Sequence, residues 1–304
     1  MPNGSETGSV VEPATLEEAA EVLWSGGSGS GGSGSGGSVS IEQPGGDTVL
    51  STCRLTRILE HEPGDLTAIV EAGLRLSELQ GHLAGYGQRL ALDPPGDPTI
   101  GACLAAALSG PRRHRYGAMR DLVIGVTIVL SDGTIASSGG KVVKNVAGYD
   151  LGKLFSGSRG RLGLIARVAL RLHPLPAATA TVVAETDEPR ALWRELHRSR
   201  LDPVAVDFLP PGRFAVLFEG AGAAVEAQVA ACPGASASEA IWAESASLQG
   251  RAAAQARFDW QDCLLARPGT GVAYLAPQAP QAERAWSPLA ERVRAVFDPA
   301  GVLV

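Results

Sequence analysis

Cysteine and histidine are scarce in this chain of 304 residues, with four and five copies respectively. No two cysteines have the C-x-x-C spacing, and the sequences His-x-His and His-Glu-x-x-His do not occur. Because those spacings are typical of zinc sites, we expect no metal site. The same scarcity indicates free thiols in a reducing compartment, rather than disulfides, for Cys53, Cys103, Cys232 and Cys263.

The sequence also lacks an excess of basic residues and any long apolar run. Its 26 Lys and Arg against 32 Asp and Glu give a net charge of −6, which argues against a nucleic-acid surface because phosphate contacts require clustered Lys and Arg. No window has the roughly 18 apolar residues that a membrane span requires. The N-terminal sequence MPNGSETGSVVEP has neither the basic nor the apolar region of a secretory signal. We therefore expect a cytoplasmic protein with no nucleic-acid partner and no membrane span.

The composition, 45% hydrophobic and 19% charged residues, is typical of a soluble globular protein with one large or two ordinary domains. Thr15-Leu-Glu-Glu18 has the form of a capping box, which begins a helix. Leu76, Leu79 and Leu83 share one face of a second predicted helix that ends at Gly85. The patterns predict helices at about 15–24, 76–84, 189–200, 223–231 and 289–297, and strands at 47–52, 66–73, 121–130, 166–172, 181–185 and 214–218.

A stretch of 14 residues, Ser25–Ser38, contains only Gly and Ser. Such a composition has nothing to bury and predicts a flexible coil. It is typical of an engineered linker, and a natural low-complexity insert stays open as the alternative.

The stretch Ser138–Pro174 carries the most specific pattern of the chain. It begins with the run KNVAGYD at 144–150, continues through a glycine-rich turn, Gly157–Gly163, and ends in an alternating strand. Glycine in such a turn allows backbone to approach a large planar ligand closely. A buried loop–strand corner would explain the apolar residues, but it would not explain the close grouping of Lys144, Asn145 and Asp150.

Together these residues resemble the flavin domain of the vanillyl-alcohol oxidase/PCMH superfamily, and in particular the FAD-binding subunit of bacterial glycolate oxidase. In that family the run KNVAGYDLxKLFxGSxGxLGxI covers one side of the isoalloxazine ring. The chain matches it at Lys144, Asn145, Gly148, Tyr149, Asp150, Leu151, Leu154, Phe155, Gly157, Ser158, Gly160, Leu162, Gly163 and Ile165.

The resemblance extends almost unbroken over residues 94–174 and more weakly over 40–93. In the family a Thr-Ile-Gly-Gly turn opens a helix of small residues under the flavin, and here Ala102 replaces the second glycine. Gly148 and Gly163 are expected to line the ring pocket. The resemblance implies FAD as the cofactor, bound by Pro95, Gly96, Thr99, Ile100, Gly101, Ser109, Gly110, Arg113, Tyr116, Gly117, Lys144, Asn145, Gly148, Asp150, Gly163 and Ile165.

The fold that the resemblance implies is α+β, with a PCMH-type FAD-binding domain of two α/β subdomains and a smaller α+β cap. We expect the FAD domain at 1–176, the cap at 177–287, and a C-terminal helix and tail at 288–304 that return to the FAD domain. The family's arginine–glycine loop for the FAD pyrophosphate would fall in 25–38, where the chain departs from the family. A mobile Gly/Ser coil would lose entropy on binding, so we expect it to hold FAD more weakly.

The implied function is that of the FAD-bearing subunit of a glycolate oxidase complex, which oxidises glycolate to glyoxylate. Its partners would be a catalytic flavin subunit and an iron–sulfur subunit, with any attachment to the inner membrane made through them. Lys141, Lys144 and Arg113 are candidates for binding the carboxylate of a small 2-hydroxy acid. No catalytic base is identified, because His197, the only histidine of the expected cap, is predicted on a helix where an exposed side chain is typical.

Two other functions stay open. The first is a non-catalytic scaffold of the same fold with weak or no flavin binding. The second is a stand-alone oxidase, which is less favoured because no His or Cys in the early loops could tether FAD and no acid–base set is visible.

Overall fold

In a computed structural model of the protein, helices and strands form two lobes, each built on its own sheet. Within the described residues no helix is both long and apolar enough to cross a membrane. In that same part of the chain no three His, Cys, Asp or Glu side chains are grouped to hold a metal ion. The structure describes residues 9–27, 38–42, 47–140, 150–237, 239–257, 260, 263–277 and 287–304.

The first lobe is built on a five-stranded antiparallel sheet whose central strand carries the alternating pattern seen in the sequence. Val168 of that strand pairs with Val70 on one side and Val126 on the other. Ala166, Val168 and Leu170 are fully buried, as their alternation predicts. In spatial order the strands are β4 (Ile58–Glu62), β5 (Thr67–Glu71), β9 (Leu164–Arg171), β7 (Val123–Val129) and β8 (Ile135–Gly139).

Short helices cover this sheet and enclose the core of the first lobe. The predicted helix at 76–84 is confirmed with the same bounds, and Leu76, Leu79 and Leu83 are buried on one face. A short ladder of β6 (Gln88–Arg89) with β10 (His173–Pro174) lies beside them. The helices are α2 (Leu76–Ala84), α3 (Ile100–Ala105), α4 (Arg113–Tyr116), α5 (Met119–Leu122) and α6 (Leu151–Phe155).

A small parallel sheet and the first helix complete this lobe at its N-terminal side. The sheet has the order β1 (Ser9–Val11), β3 (Thr48–Leu50) and β2 (Val39–Ile41), and α1 is Leu16–Gly27. The amide of Glu18 donates to Oγ1 of Thr15 at 3.1 Å, which confirms the predicted cap.

The predicted coil at 25–38 is wrong for its first three residues, because α1 continues to Gly27. Oγ of Ser25 donates to the carbonyl of Val22 at 3.0 Å, and each added residue extends an already nucleated helix at little cost. Residues 28–37 lie outside the described part of the chain, so the expected mobility of that segment stays a prediction.

The link between residues 53 and 65 also differs from the sequence interpretation, which gave it no strand. Residues Ile58–Glu62 form β4, an edge strand that pairs with β5 in a hairpin. Pro63, Gly64 and Asp65 make the turn, and Leu66 follows with φ of 55°. The mixed polarity of β4 hid the strand, because its residues are only partly buried.

The second lobe is a seven-stranded sheet with helices packed on it. Phe208, Phe214 and Phe218 fill its core between adjacent strands. In spatial order the strands are β14 (Ala235–Ala237), β11 (Ala178–Glu185), β13 (Arg213–Gly220), β12 (Ala205–Leu209), β16 (Cys263–Arg267), β17 (Val272–Leu275) and β15 (Ala254–Arg257), and the helices are α7 (Pro189–Arg198), α8 (Gly222–Ala231) and α9 (Ala240–Gly250), with a 3-10 turn at Pro268–Thr270.

The last helix, α10 (Pro288–Phe297), lies against the first lobe. The ring of Phe297 packs edge-on against Phe155 at a centroid distance of 5.8 Å. Beyond the helix, the carboxylate of Asp298 accepts hydrogen bonds from the amides of Val302 and Leu303 at 2.8 and 3.0 Å. The amide of Val39 then donates to the carbonyl of Val302 at 2.8 Å, which joins the tail to β2.

A buried ion pair stabilises the second lobe near its contact with the first. Nε of Arg267 donates to the carboxylate of Asp207 at 3.1 Å, and both side chains are at most 1% exposed. The other guanidinium nitrogens donate to the hydroxyl of Tyr274 and to Oε1 of Gln249. The amide nitrogen of Gln249 reaches the carbonyl of Ser109 in the first lobe at 2.8 Å. The pair therefore supports one contact between the lobes.

We predict that Arg267→Met destabilises the protein by about 3–5 kcal/mol, because it leaves the Asp207 carboxylate buried without a cation. The measurement is urea denaturation followed by circular dichroism. Glu244→Gln is the matched control, since it breaks the exposed Arg213–Glu244 pair and should change the free energy of unfolding by no more than about 1 kcal/mol. Equal losses in the two variants would show that burial does not set the contribution of the Arg267–Asp207 pair.

Candidate functional site

A cavity of about 360 Å³ opens in the first lobe between α3 and the glycine-rich turn before β9. Its walls are mostly alanine, glycine and aliphatic side chains, with polar groups at a few positions. The lining residues are Ile41, Glu42, Thr52, Gly101, Ala102, Ala105, Ala106, Arg159, Gly160, Gly163, Leu164 and Ile165.

One wall is α3, whose position is set by close backbone contact with the sheet. Thr99 caps the helix by accepting a hydrogen bond from the amide of Ala102 at 3.2 Å. The amide of Gly101 donates to the carbonyl of Ala72 at 2.7 Å. A Cβ at position 101 would lie 2.8 Å from the Cβ of Ala72, so only glycine allows this approach. Small residues in the next turns of α3 leave space beside the helix.

The opposite wall is the turn that precedes β9. The amides of Gly157 and Arg159 donate to the carbonyls of Leu104 and Ala105, both at 3.0 Å, which ties the turn to the C-terminal end of α3. Gly160 has φ of 80°, and a Cβ there would lie 2.9 Å from the Cβ of Ile41. The glycine is therefore needed both for the turn and for contact with β2.

The polar groups of the cavity include a carboxylate held by a small set of donors. Oε1 of Glu42 accepts hydrogen bonds from the amide and from Oγ1 of Thr52, each at 2.5 Å. Oε2 accepts from Oγ of Ser51 at 3.2 Å. These donors hold the carboxylate of Glu42, and the rest of the lining is apolar except for Arg159. The donor set and the apolar walls fit a ligand with an anionic group and a flat apolar ring.

The structure brings three of the sequence-predicted residues to this cavity, namely Gly101, Gly163 and Ile165. Thr99 and Ile100 begin α3, and Pro95 and Gly96 lie in the loop before it. Asp150 caps α6 and pairs with Lys153 at 2.9 Å. Lys141, Lys144, Asn145 and Gly148 lie outside the described residues, so their predicted roles stay predictions.

The segment 109–117 is not part of the cavity lining and instead lies where the two lobes meet. Ser109 and Gly110 are buried, and Arg113, Tyr116 and Gly117 belong to α4 and its C-terminal cap. A flavin role for these five residues stays a prediction. Nine lining residues were not among the predicted site residues, although two features of the sequence pointed to five of them. The glycine-rich turn pointed to Arg159 and Gly160, and the expected helix of small residues pointed to Ala102, Ala105 and Ala106. The other four are Ile41, Glu42, Thr52 and Leu164.

A second cluster of charges joins the lobes. Glu219 of β13, only 2% exposed, accepts hydrogen bonds from Arg89 and Arg112 of the first lobe, with Nη1 of Arg89 and Nη2 of Arg112 at 2.9 Å from Oε1. Burial opposes ionisation of Glu219, but the two guanidinium groups outweigh it and lower the pKa of this carboxyl. Tyr116 also accepts from Arg89 at 2.9 Å. A permanently charged contact therefore holds the lobes together.

Asp93 lies beside this cluster, but its pKa is shifted in the opposite direction from that of Glu219. Its carboxylate accepts hydrogen bonds from the backbone amide and the guanidinium of Arg112 at 3.1 and 3.2 Å. Burial nonetheless raises the pKa of Asp93 to about 7, against the opposing charges of Arg112 and Arg267. This carboxyl therefore changes its charge near neutral pH.

Residues 9–139 match the family described as FAD binding domain. Glycolate oxidase subunit GlcE of Escherichia coli is 34% identical over 155 residues, which are 50% of this chain and 44% of that protein. Glycolate oxidase subunit GlcD of Bacillus subtilis is 33% identical over 54% of this chain and 36% of its own length. D-lactate dehydrogenase [cytochrome] 1 of Saccharomyces cerevisiae is 35% identical over 44% of this chain and 23% of its own. The chain spans less than half of each of these relatives.

A solved structure of alkyldihydroxyacetonephosphate synthase is similar in fold, with a TM-score of 0.62 over 77% of this chain and 55% of that one. At 18% identity the similarity concerns the fold alone. The family match and the fold agree with the α+β, PCMH-type architecture that the sequence predicted, and the predicted cofactor FAD is confirmed by the family match.

We predict that Ala102→Leu weakens FAD binding roughly tenfold or more, because the larger side chain fills the cavity beside α3 and overpacking costs about 1–3 kcal/mol. Binding is measured by titrating the apo-protein with FAD and following flavin fluorescence. Ala102→Gly, which enlarges the cavity, and Ala84→Leu, on the exposed end of α2, are the controls and should bind like the parent. Undiminished binding by Ala102→Leu would place the flavin elsewhere.

We further predict that Asp93 makes the protein less stable as the pH rises. Its pKa is raised from 3.8 to about 7 in the folded state, so its contribution to the free energy of unfolding is greatest below about pH 4 and is lost by about pH 7. Asp93→Asn should lack this part of the pH dependence between those values, as measured by urea denaturation. Asp65→Asn, in an exposed turn, should keep it. If the free energy of unfolding of Asp93→Asn depended on pH in the same way as that of the parent, the raised pKa would not belong to Asp93.

Proposed function

Because the chain carries an FAD-binding domain of PCMH type, we propose that it is the FAD-binding subunit of a glycolate oxidase-like complex in the cytoplasm. In this proposal the complex oxidises a small 2-hydroxy acid, glycolate, to glyoxylate, and electrons leave the flavin toward an iron–sulfur subunit. The observation that carries the proposal is the cavity between α3 and the glycine-rich turn, which is lined in part by residues of the segment 9–139 that matches the family.

Bound FAD supplies a two-electron acceptor, and the residues of this chain bind and orient it. The alanines of α3 and the backbone at Gly160 and Gly163 offer a flat, apolar surface that excludes water from one side of a ring. The donors of Thr52 offer a site for an anionic group, and Arg159 is a positively charged residue of the same lining. We propose that the loop residues Lys144, Asn145 and Gly148 complete the ring site, and that Pro95, Gly96 and Asp150 flank it.

The substrate proposal rests on the names of the relatives, which include both glycolate oxidase subunits and D-lactate dehydrogenases. Both names describe oxidation of a 2-hydroxy acid, which requires a cation for the carboxylate and a base for the hydroxyl proton. Among the described lining residues the only acid is Glu42, and it is already hydrogen-bonded. We therefore propose that proton abstraction takes place on a partner flavin subunit, and that this chain serves electron transfer.

A second candidate function is that of a scaffold subunit with the same fold and little flavin. One specific observation favours it, namely that the carboxylate of Glu42 occupies the donors of Ser51 and Thr52. The replacement of the expected pyrophosphate loop by Gly and Ser at 25–38 points the same way. The two candidates differ in flavin content, which a purified preparation reveals directly.

We predict that the purified chain reconstituted with FAD retains the flavin on gel filtration with about one FAD per chain, as expected for one cavity of this kind. We also predict that its flavin is reduced by dithionite but not by glycolate or D-lactate under anaerobic conditions, because the one acid of the described lining is already engaged by Thr52. The readout is bleaching of the flavin absorbance.

Each failure of this experiment has a distinct meaning. A chain that retains no FAD is the scaffold rather than the flavin subunit. A chain whose flavin is bleached by glycolate or D-lactate without partners is a stand-alone oxidase, and the proposed division of roles is wrong. In the control reaction, cytochrome c is added as a redox acceptor and no hydroxy acid is present.

A further inference from the structure

Two charged side chains of opposite sign line the described part of the cavity, Glu42 and Arg159. Both residues have a positive φ, 59° for Glu42 and 51° for Arg159. Such a backbone is unusual for residues with a side chain.

The donors that bind the Glu42 carboxylate are fixed before any ligand arrives. Thr52 is only 4% exposed, and its carbonyl accepts a hydrogen bond from the amide of Leu55 at 2.8 Å. A Cβ at position 73 would lie 2.0 Å from this carbonyl, so Gly73 packs directly against the Thr52 backbone. An amide and a hydroxyl aimed at one oxygen atom from a rigid segment are an anion-binding arrangement.

The carboxylate of Glu42 is less constrained than the donors that it meets. The backbone amide of Glu42 donates to the carbonyl of Leu50 at 3.0 Å, so the main chain continues the pairing of β2 with β3. The residue as a whole is exposed, and its described side-chain contacts are those with Ser51 and Thr52. Moving the side chain into solvent would therefore break its hydrogen bonds with Ser51 and Thr52 but not the pairing of the strands.

We propose that the Glu42 carboxylate is an internal competitor for a phosphate group of the cofactor at the donors of Ser51 and Thr52, and that Arg159 favours the phosphate from the other side. A phosphate and a carboxylate use the same donors and repel each other, so one must leave when the other binds. This inference deepens the proposed function, because it rests on use of the cavity by FAD. It identifies Glu42 as a residue that lowers the affinity for the phosphate part of the ligand and leaves the ring part unaffected.

The test compares three probes in the apo-protein, namely FAD, ADP and riboflavin, of which only the first two carry phosphate. Glu42→Gln keeps the shape of the side chain and removes its charge, and Glu42→Gly also removes the acceptor. We expect both variants to bind FAD and ADP roughly ten- to hundredfold more tightly than the parent, the span expected for hydrogen bonds to a charged group. Riboflavin affinity should stay unchanged. Arg159→Gln should shift FAD and ADP affinity in the opposite direction.

The matched control is Glu62→Gln, which makes the same change of charge on exposed β4, away from the cavity. It should leave all three affinities at the parental value. Equal FAD affinity in the parent and both Glu42 variants would overturn this inference while leaving the proposed flavin subunit intact. An equal gain for riboflavin would also overturn it, because a wider cavity and not the phosphate would then be responsible. Failure of every variant to bind FAD would overturn the inference and the proposed function together.

Discussion

The candidate site depends on one close backbone contact between α3 and the central sheet. The amide of Ala72 donates to the carbonyl of Ala166 at 2.9 Å, and the carbonyl of Ala72 accepts from the amide of Gly101 at 2.7 Å. The first bond continues the pairing of β5 with β9, and because position 101 has no Cβ, α3 approaches the sheet closely enough for the second bond to form. This contact sets the distance between the alanines of α3 and the turn before β9, and hence the width of the cavity. Any larger residue at 101 would move the whole wall.

Charged contacts at Glu219 join the lobes alongside a small apolar cluster, in which Tyr116 of the first lobe packs against Val204, Ala205 and Leu217 of the second. Glu219 is almost fully buried and is shared by two guanidinium groups from the other lobe. A buried carboxylate is tolerated only when its lone pairs are satisfied, so the contact fixes one arrangement of the lobes with good geometric specificity. Asp93 adds a group that titrates near neutral pH beside this contact. Stability is thereby linked to pH through a residue that does not line the cavity.

Sequence reasoning was most accurate where a single element decides its own structure. The bounds of α2 and the burial of the β9 face followed from periodicity, because an amphipathic segment has one favourable way to pack. The cavity was only partly predictable, since Gly101, Gly163 and Ile165 belong to recognisable runs, while Glu42, Ser51 and Thr52 directly follow the short strands β2 and β3, which carry no distinctive pattern. The β4 strand was missed for a related reason, because an edge strand need not be apolar.

From its sequence alone the protein could be assigned an α+β flavin-binding fold, FAD as the cofactor and the turn that forms one wall of the site. Those properties depend on short runs of residues. The backbone requirements of such runs, chiefly glycine at close contacts, can be recognised in the sequence. Only the tertiary structure showed which charged residues line the cavity and which residues form the contacts between the lobes. Glu42 and Thr52 are ten residues apart in sequence, and Arg89 and Glu219 are 130 apart. Folding of the chain brings such pairs into contact, and no local sequence pattern predicts these contacts.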